Sequence, residues 1–350
     1  MSDKYDVIVI GGGQSGLAVG YFLRRTGLKY IILDNQNEPG GAWLHGWDSL
    51  KLFSPAEHSS LPGWIMPKDV NEYPSKNHVI KYLKQYEERY QLNIKRPVNI
   101  LNVVKVGDTF TILTTTETFY TKSVVSATGN WHKPFIPYYN GYDQFEGKKT
   151  HSAYYKSPEE FKGTKVLIVG GGNSGAQILA EVSKVATTTW VTLKEPVFLP
   201  DNVDGRYLFE FATRQYKANL EGKKIEPVGS LGDVVMVDTV KEARNRQILN
   251  SKRPFESFYE KGVIWQDKTN EEFDAIIWCT GFKSSLDHLT NLGIVKDGKI
   301  ETSLTRATDV DGLWLIGYGS WTGFASATLI GVGRTARQTV NEIQEYIKEN

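Results

Sequence analysis

Two nested, doubly wound α/β domains are predicted for this chain by three observations. A β-branched strand near the start runs into a glycine turn and then a helical pattern. The same succession begins again at Lys165. Each copy is followed by a strand ending in a similar turn, Ala127-Thr128-Gly129 and Cys279-Thr280-Gly281. The length of 350 residues agrees, being more than one ordinary core organises.

Taken in order, Lys4 to Ile10 is a short β-branched run stopped by Gly11-Gly12-Gly13, the pattern of a buried strand. Leu17, Tyr21 and Arg25 at helical spacing predict a helix over Gln14–Thr26, with Gly27 as its stop. Tyr30 to Leu33 is a second strand closed by Asp34, which completes a crossover unit with parallel strands. From residue 40 to 70 no period is visible and prolines recur (Pro39, Pro55, Pro62, Pro67), so an irregular loop with many aromatics is expected. Pro74–Tyr90 carries Val79, Tyr82, Leu83, Tyr86 and Tyr90 on one face, an amphipathic helix. Short alternating segments from Val98 to Val125 predict an antiparallel meander.

The unit then restarts: strand at Lys165–Val169, turn at Gly170-Gly171-Gly172, helix at Asn173–Val185 and strand at Thr189–Thr192. Residues 200–260 are charged and without period, which predicts an irregular surface excursion. Strands follow at Phe273–Trp278 and Leu313–Ile316, and a terminal helix runs from about Ala325 to Glu349. The second unit is therefore expected as an insertion at 159–281 into a first domain made of 1–158 and 282–350.

Composition excludes several function classes. Hydrophobic residues make up 40% and charged residues 23%, a globular composition and not a disordered or fibrous one. Lys+Arg 41 against Asp+Glu 40 leaves a net charge of +1, which argues against a nucleic-acid partner. No apolar run reaches the roughly 18 to 20 residues of a spanning helix. The opening Met1-Ser2-Asp3-Lys4-Tyr5-Asp6 carries acids where a secretory signal is basic and then apolar, so no membrane partner and a cytoplasmic location are expected. The single cysteine, Cys279, excludes an internal disulfide and a redox pair within the chain. His45, His58, His78, His132, His151 and His288 show no ligand spacing, so no metal is expected, and no G-x-S-x-G nucleophile turn occurs.

The two glycine loops carry the chemistry. Gly11-x-Gly13-x-x-Gly16 follows a strand and opens a helix, the context in which glycines let a backbone approach a pyrophosphate at the positive end of a helix. Asp34, at the tip of the second strand, is placed to accept hydrogen bonds from a ribose diol. Gly170-x-Gly172-x-x-Gly175 repeats the context, but the position equivalent to Asp34 is Leu193, followed by Lys194. A leucine does not repel a 2′-phosphate and a lysine attracts one, so this loop is expected to take NADPH and to accept NADH. Two nucleotide sites in nested domains imply hydride passing from a pyridine nucleotide to a flavin. Gly40-Gly41-Ala42-Trp43 with the aromatic loop to Trp64, and Tyr318 with the N-terminus of the last helix, are the expected flavin-facing surfaces; satellite core is the alternative, and for Trp47 and Trp64 the sequence does not separate the two.

With those residues in place, the chain resembles the flavin-containing monooxygenases, single-component class B enzymes, in the form of a short bacterial member. The resemblance rests on both glycine loops, Gly40-Gly41-Ala42-Trp43, the strand Asp274 to Gly281-Phe282, and Phe145-x-Gly147-x-x-x-His151-x-x-x-Tyr155. That last stretch fits the family signature F-x-G-x-x-x-H-x-x-x-Y/F; Baeyer–Villiger relatives usually close it with Trp. The likeness covers nearly the whole chain. It implies FAD contacts from Gly11, Gly13, Gln14, Ser15, Gly16, Asp34, Gly41, Ala42, Trp43, Ser54, Thr128, Gly129 and Tyr318. It implies NAD(P)H contacts from Gly170, Gly172, Asn173, Ser174, Gly175, Lys194, Cys279, Thr280 and Gly281, with His151 organising the interdomain linker.

The implied reaction is reduction of FAD by NADPH, capture of O2 as a C4a-(hydro)peroxyflavin and oxygen transfer to a small soft nucleophile, giving sulfoxides or N-oxides. A homodimer is common in the family. One departure bears on catalysis: the family's flavin-proximal Asn-Ser pair is matched here by Phe53-Ser54, and phenylalanine donates no hydrogen bond. A poorly coupled NAD(P)H oxidase is therefore an alternative, as are Baeyer–Villiger oxygenation of small ketones and a non-catalytic FAD/NADP-binding redox sensor or adaptor. A thioredoxin-reductase-like disulfide reductase shares the nested plan but needs a redox cysteine pair.

Overall fold

The computed structural model describes residues 4–207, 210–211, 214, 232–323 and 325–350. The chain divides into one unit of 1–44, 54–133 and 283–350 and another of 45–53 and 134–282.

In the first unit, strand β1 (Lys4–Ile10) leads through the glycine turn into helix α1 (Gln14–Leu23) and strand β2 (Tyr30–Leu33). β1 pairs in parallel with β2 on one side and with β6 (Thr118–Ser126) on the other. β2 pairs with the short β3 (Ile94–Lys95), and β6 is parallel to β17 (Leu313–Leu315), beyond which β16 (Arg306–Ala307) and β15 (Thr302–Ser303) close that edge. β4 (Ile100–Val106) and β5 (Thr109–Thr114) hang from β6 as the expected antiparallel meander. Val7, Ile8 and Val9 are wholly buried because both faces of the sheet are covered, which is why β1 reads as a continuous apolar run.

Helix α2 (Lys76–Tyr90) begins two residues after Pro74, since Ser75 caps it by accepting the His78 N–H at 3.3 Å. Its buried tyrosines tie down the aromatic loop: Tyr82 Oη donates to Trp64 O (2.7 Å) and accepts from Leu61 N (2.8 Å), and Tyr86 Oη donates to Pro62 O (2.5 Å). Trp64 lies 5.0 Å from the Tyr82 ring with Arg89 over it at 5.1 Å. It is packing for α2, which favours the satellite-core reading, one of the two readings open for Trp64 in the sequence. The terminal helix, here α5, spans Val332–Glu349 and starts later than Ala325, whose φ of 58° is left-handed.

In the second unit the parallel order is β10-β9-β8-β14-β7, formed by β7 (Lys148–His151), β8 (Lys165–Val169), β9 (Thr187–Val191), β10 (Ser251–Lys252) and β14 (Ala275–Trp278). Helices α3 (Asn173–Val182) and α4 (Asp238–Asn245) pack together beside this sheet. The small antiparallel sheet of β11 (Ser257–Tyr259), β12 (Gly262–Ile264) and β13 (Asn270–Glu272) contributes Phe258 and Val263 to a second aromatic core with Phe255 and Trp278.

The division differs from expectation at 45–53, 134–158 and Phe282, all of which fall in the second unit. Residues 134–158 join the second unit, because β7 adds to the edge of β14 and Tyr155 packs against Trp47. Trp47 is thereby a buried core residue of that unit, in line with the satellite-core alternative that the sequence left open for it. The stretch 200–260 falls partly outside the described residues, and its described part is not irregular throughout. It holds α4, whose Val240 and Ala243 are buried within an otherwise charged segment too short to show a period.

Register fixes what emerges from each sheet. Ile10 lies opposite Leu33 and Ser126, so Gly11, Asp34 and Ala127 leave the first sheet together. Val169 lies opposite Val191 and Trp278, so Gly170, Thr192 and Cys279 leave the second together. These carboxyl ends are where open α/β sheets bind ligands. Among the described residues no helix is long and apolar enough to cross a membrane.

Candidate functional site

In each glycine loop the three glycines answer to different needs. A Cβ on Gly16 would fall 1.9 Å from Gly11 O, and one on Gly11, whose φ is 108°, would fall 2.5 Å from Ala127 O. A Cβ on Gly175 would fall 2.0 Å from Gly170 O, and one on Gly170 2.2 Å from Cys279 O. These first and third positions are glycine because helix, strand and turn touch there. The middle ones are different. Gly13 has φ −78° and its Cβ would meet only Gly41 Cα at 3.8 Å; Gly172 has φ −95° and its Cβ would meet nothing within 4 Å. Among the described residues nothing requires glycine at these two points, and the space left is wide enough for a pyrophosphate to approach the backbone.

The helix starts agree. Neither α1 nor α3 has a side-chain cap or an acid in its first turn, so nothing there would repel an anion at their leading N–H groups. The residues present therefore fit two dinucleotides, one at each loop.

Around the first loop the structure gathers most of the expected FAD set. Gly41, with φ 55°, sits so close that a Cβ would be 2.8 Å from Gly13 Cα, which seats Gly41-Ala42-Trp43 on the loop. Trp43 Nε1 donates to Gln14 Oε1 (3.1 Å), and Gln14 Nε2 donates to Ala327 O (2.6 Å). Ser15 is buried, with its hydroxyl against Gly317. Asp34 is only 3% exposed; Arg96 Nε donates to its Oδ2 at 3.1 Å while the same guanidinium forks onto Glu87 at 2.7 and 2.9 Å. Burial pushes the Glu87 carboxyl above its ordinary value, an effect that Arg96 partly offsets. The expected ribose reader is thus held by a half-buried cation, Arg96, that the sequence alone did not single out.

Beside Gly129, a hydroxyl network closes the turn. Tyr318 Oη lies 2.6 Å from Ser126 Oγ and 2.7 Å from Thr128 Oγ1, and Thr128 donates to Ser285 O at 2.6 Å. Tyr318 is therefore anchored at its phenol. His288 Nε2 lies 3.0 Å from Ser126 Oγ, and burial holds its pKa down at about 4, with Asp287 pulling weakly upward. Free histidine titrates near 6.5, so between about 6.5 and 4 the unfolded chain binds the extra proton. Stability should accordingly fall as the pH drops through that window, by at most about 3 kcal/mol. Replacing His288 by Gln should flatten the acid limb of a stability–pH profile, and an unchanged limb would count against a neutral buried imidazole.

The Phe53-Ser54 pair straddles the division of the chain. Phe53 packs with Leu199, Val203 and Val235 in the second unit, and its carbonyl accepts from Gly205 N at 2.7 Å. Ser54 belongs to the first unit, where its buried hydroxyl lies 2.7 Å from Ser59 Oγ. His151 is 1% exposed, its Nδ1 accepts from Ala153 N at 3.1 Å, and Phe282 meets its ring edge-on at 5.1 Å. Burial lowers its pKa, which favours the neutral imidazole.

In the second loop, Asn173 is clamped to its own chain, donating to Asp233 O (3.0 Å) and accepting from Val235 N (2.9 Å). Thr280 Oγ1 donates to Phe135 O at 2.5 Å, and Gly281 takes φ 80°. Ser174 stands beside Asn173 in the first turn of α3, and Lys194 is exposed. Cys279 is buried under Gly170, and desolvation pushes its thiol up, away from the reactive thiolate. Two contributors escaped sequence reasoning. Trp190 Nε1 donates to Gly170 O at 2.8 Å, and Arg253 reaches Thr192 at the strand tip. No spacing signal marks either, since each acts through register.

A family model for pyridine nucleotide-disulphide oxidoreductases matches residues 8–317. The flavin-containing monooxygenase from Stenotrophomonas maltophilia has a TM-score of 0.90 and 47% identity, covering 98% of this chain and 99% of its own. The uncharacterized oxidoreductase CzcO of Bacillus subtilis is 34% identical over 346 residues, 97% of this chain and 99% of that protein. A probable indole-3-pyruvate monooxygenase of Arabidopsis thaliana is 27% identical over 379 residues, 98% of this chain and 90% of that protein. Despite the family model's name, a lone buried Cys279 leaves no cysteine pair for disulfide chemistry. With two helix starts that carry no side-chain cap, two glycines that packing among the described residues does not require and these likenesses, the chain belongs to the flavin-containing monooxygenases, enzymes whose typical cofactors are FAD and NADPH.

Proposed function

We propose that this enzyme holds FAD at the Gly11–Gly16 loop and NADPH at the Gly170–Gly175 loop, and oxygenates soft nucleophiles, turning thioethers into sulfoxides and amines into N-oxides. The observation that carries the two-cofactor reading is the pair of middle glycines, Gly13 and Gly172, that packing among the described residues does not need. FAD, when bound and reduced, supplies the activation of O2; the balance is thioether, O2, NADPH and a proton giving sulfoxide, NADP+ and water. The chain's own residues bind and orient. Helix α1 and Gly13 receive one pyrophosphate, α3 and Gly172 the other, Asp34 accepts from a ribose, and His151 packs edge-on against Phe282.

Soft nucleophiles are favoured over ketones by Tyr155. It closes the Phe145–Tyr155 signature with a hydroxyl that donates to Glu181 at 2.9 Å, where a tryptophan would reach differently. Incubation with an aryl methyl thioether, a tertiary amine and a cyclic ketone in parallel tests this. Sulfoxide and N-oxide are expected; an ester from the ketone as the main product would transfer the assignment to Baeyer–Villiger chemistry.

A second reading, a poorly coupled NAD(P)H oxidase, is favoured by the Phe53-Ser54 pair. Phe53 has no side-chain donor, and the Ser54 hydroxyl is already engaged by Ser59. Phe53→Asn should raise product formed per NADPH and lower hydrogen peroxide released. Its cost in stability is about 1–2 kcal/mol, because the ring leaves an apolar cluster. Unchanged coupling in a folded variant would remove Phe53 from the account.

A further inference from the structure

At the open edge of the second sheet, register brings in a cation that its place in the sequence conceals. Val191 lies opposite Lys252, so Thr192 and Arg253 leave β9 and β10 side by side. Arg253 Nη1 donates to Thr192 O (3.2 Å) and Oγ1 (3.0 Å), and Nη2 donates to Ser251 Oγ (3.1 Å) and to the Glu195 carboxylate. Thr192 is 1% exposed, and its Cγ2 lies 3.2 Å from where a Cβ on Gly171 would stand. The guanidinium is thus one buried side chain away from the glycine loop.

The end of the second strand of a doubly wound domain is where the adenosine ribose of a dinucleotide lies, and its 2′ position is what separates NADPH from NADH. Leu193 points 83% of its surface to solvent and offers no polar group. Lys252 is turned elsewhere, donating to Glu271 at 2.8 Å over the Trp265 ring. Arg253 alone of these is fixed on Thr192 with part of its fork directed outward, and that part is held by Glu195, a residue on the same turn as Lys194. The pair is exposed, at 44% and 80% for the two side chains, so the contact is weak and readily exchanged. A phosphate carries more charge than a carboxylate and matches the guanidinium fork equally well.

We propose that Arg253 reads the 2′-phosphate of the pyridine nucleotide and that Glu195 competes for the same guanidinium, so that the pair sets the preference between NADPH and NADH. The inference rests on the second loop being the NADPH site. Lys194 adds a flexible point charge but no fixed geometry.

The test is calorimetric titration of the yellow holoprotein with adenosine 2′,5′-bisphosphate and with 5′-AMP, which needs no turnover. Arg253→Gln should weaken the bisphosphate about tenfold or more and leave 5′-AMP within about twofold. Glu195→Gln, an exposed and conservative change, should tighten the bisphosphate about two- to fivefold with 5′-AMP unchanged. If both ligands bind and Glu195→Gln leaves the bisphosphate unchanged or weaker, the latch is overturned while the loop assignment stands. If the wild-type protein binds neither ligand, the loop assignment falls and the latch with it.

Discussion

Gly13→Val should yield a folded but colourless protein. The Cβ of a side chain at residue 13 meets only Gly41 Cα, at 3.8 Å, and the φ of −78° is open to any residue, so the polypeptide has no reason to unfold. The branched methyl groups would instead stand where the pyrophosphate must approach the first turn of α1, and FAD affinity should fall by about a thousandfold. Gly172→Val makes the matched case: the protein stays yellow, but NADPH no longer bleaches it. Gly16→Ala is the opposite control, because its Cβ would lie 1.9 Å from Gly11 O and the βα turn itself would have to open. Absorbance of the bound flavin together with an unfolding midpoint distinguishes the three. Full colour in folded Gly13→Val would remove the flavin from this loop.

Arg96→Leu should be the most damaging single change outside the loops, at about 3–5 kcal/mol. It leaves two carboxylates, Asp34 at 3% and Glu87 at 9% exposure, buried without the guanidinium that bonds both. Arg96→Lys keeps the charge but cannot fork onto Glu87 while reaching Asp34, and should fall in between. The same variant should bind FAD more weakly, because Asp34 loses the contact that orients it toward the ribose. Denaturant unfolding of the apoproteins checks the first effect. A loss below about 1 kcal/mol would show that these carboxylates are better solvated than their burial implies.

Much of this molecule is legible in its sequence, and the reasons are local. Lys4–Ile10 and Lys165–Val169 announce themselves because strands covered on both faces are uninterrupted apolar runs, and the loops after them because close helix–strand contact tolerates only glycine. What could not be read depends on distant pairing. Trp47 and Trp64 are aromatic residues in a loop without period, and only their partners, Tyr155 and Tyr82, show them to be core. Residues 134–158 change units because β7 finds β14, a pairing across a long stretch of chain that no local pattern encodes. Arg96 and Arg253 matter through register with β2 and β9, and their own neighbours in sequence, Pro97 and Pro254, mark only turns. Asn173 illustrates the converse. A residue in the first turn after a glycine loop suggests a ligand contact, yet its side chain is bonded to Asp233 and Val235.

The most direct test of the central claim is turnover of an aryl methyl thioether under isotope-labelled O2, with NADPH consumption, sulfoxide and hydrogen peroxide measured together. A flavin monooxygenase of soft nucleophiles predicts sulfoxide carrying one labelled oxygen atom and formed in proportion to NADPH consumed, with peroxide accounting for the remainder. Peroxide equal to all the NADPH consumed, with no labelled sulfoxide, would contradict it and make the protein an oxidase.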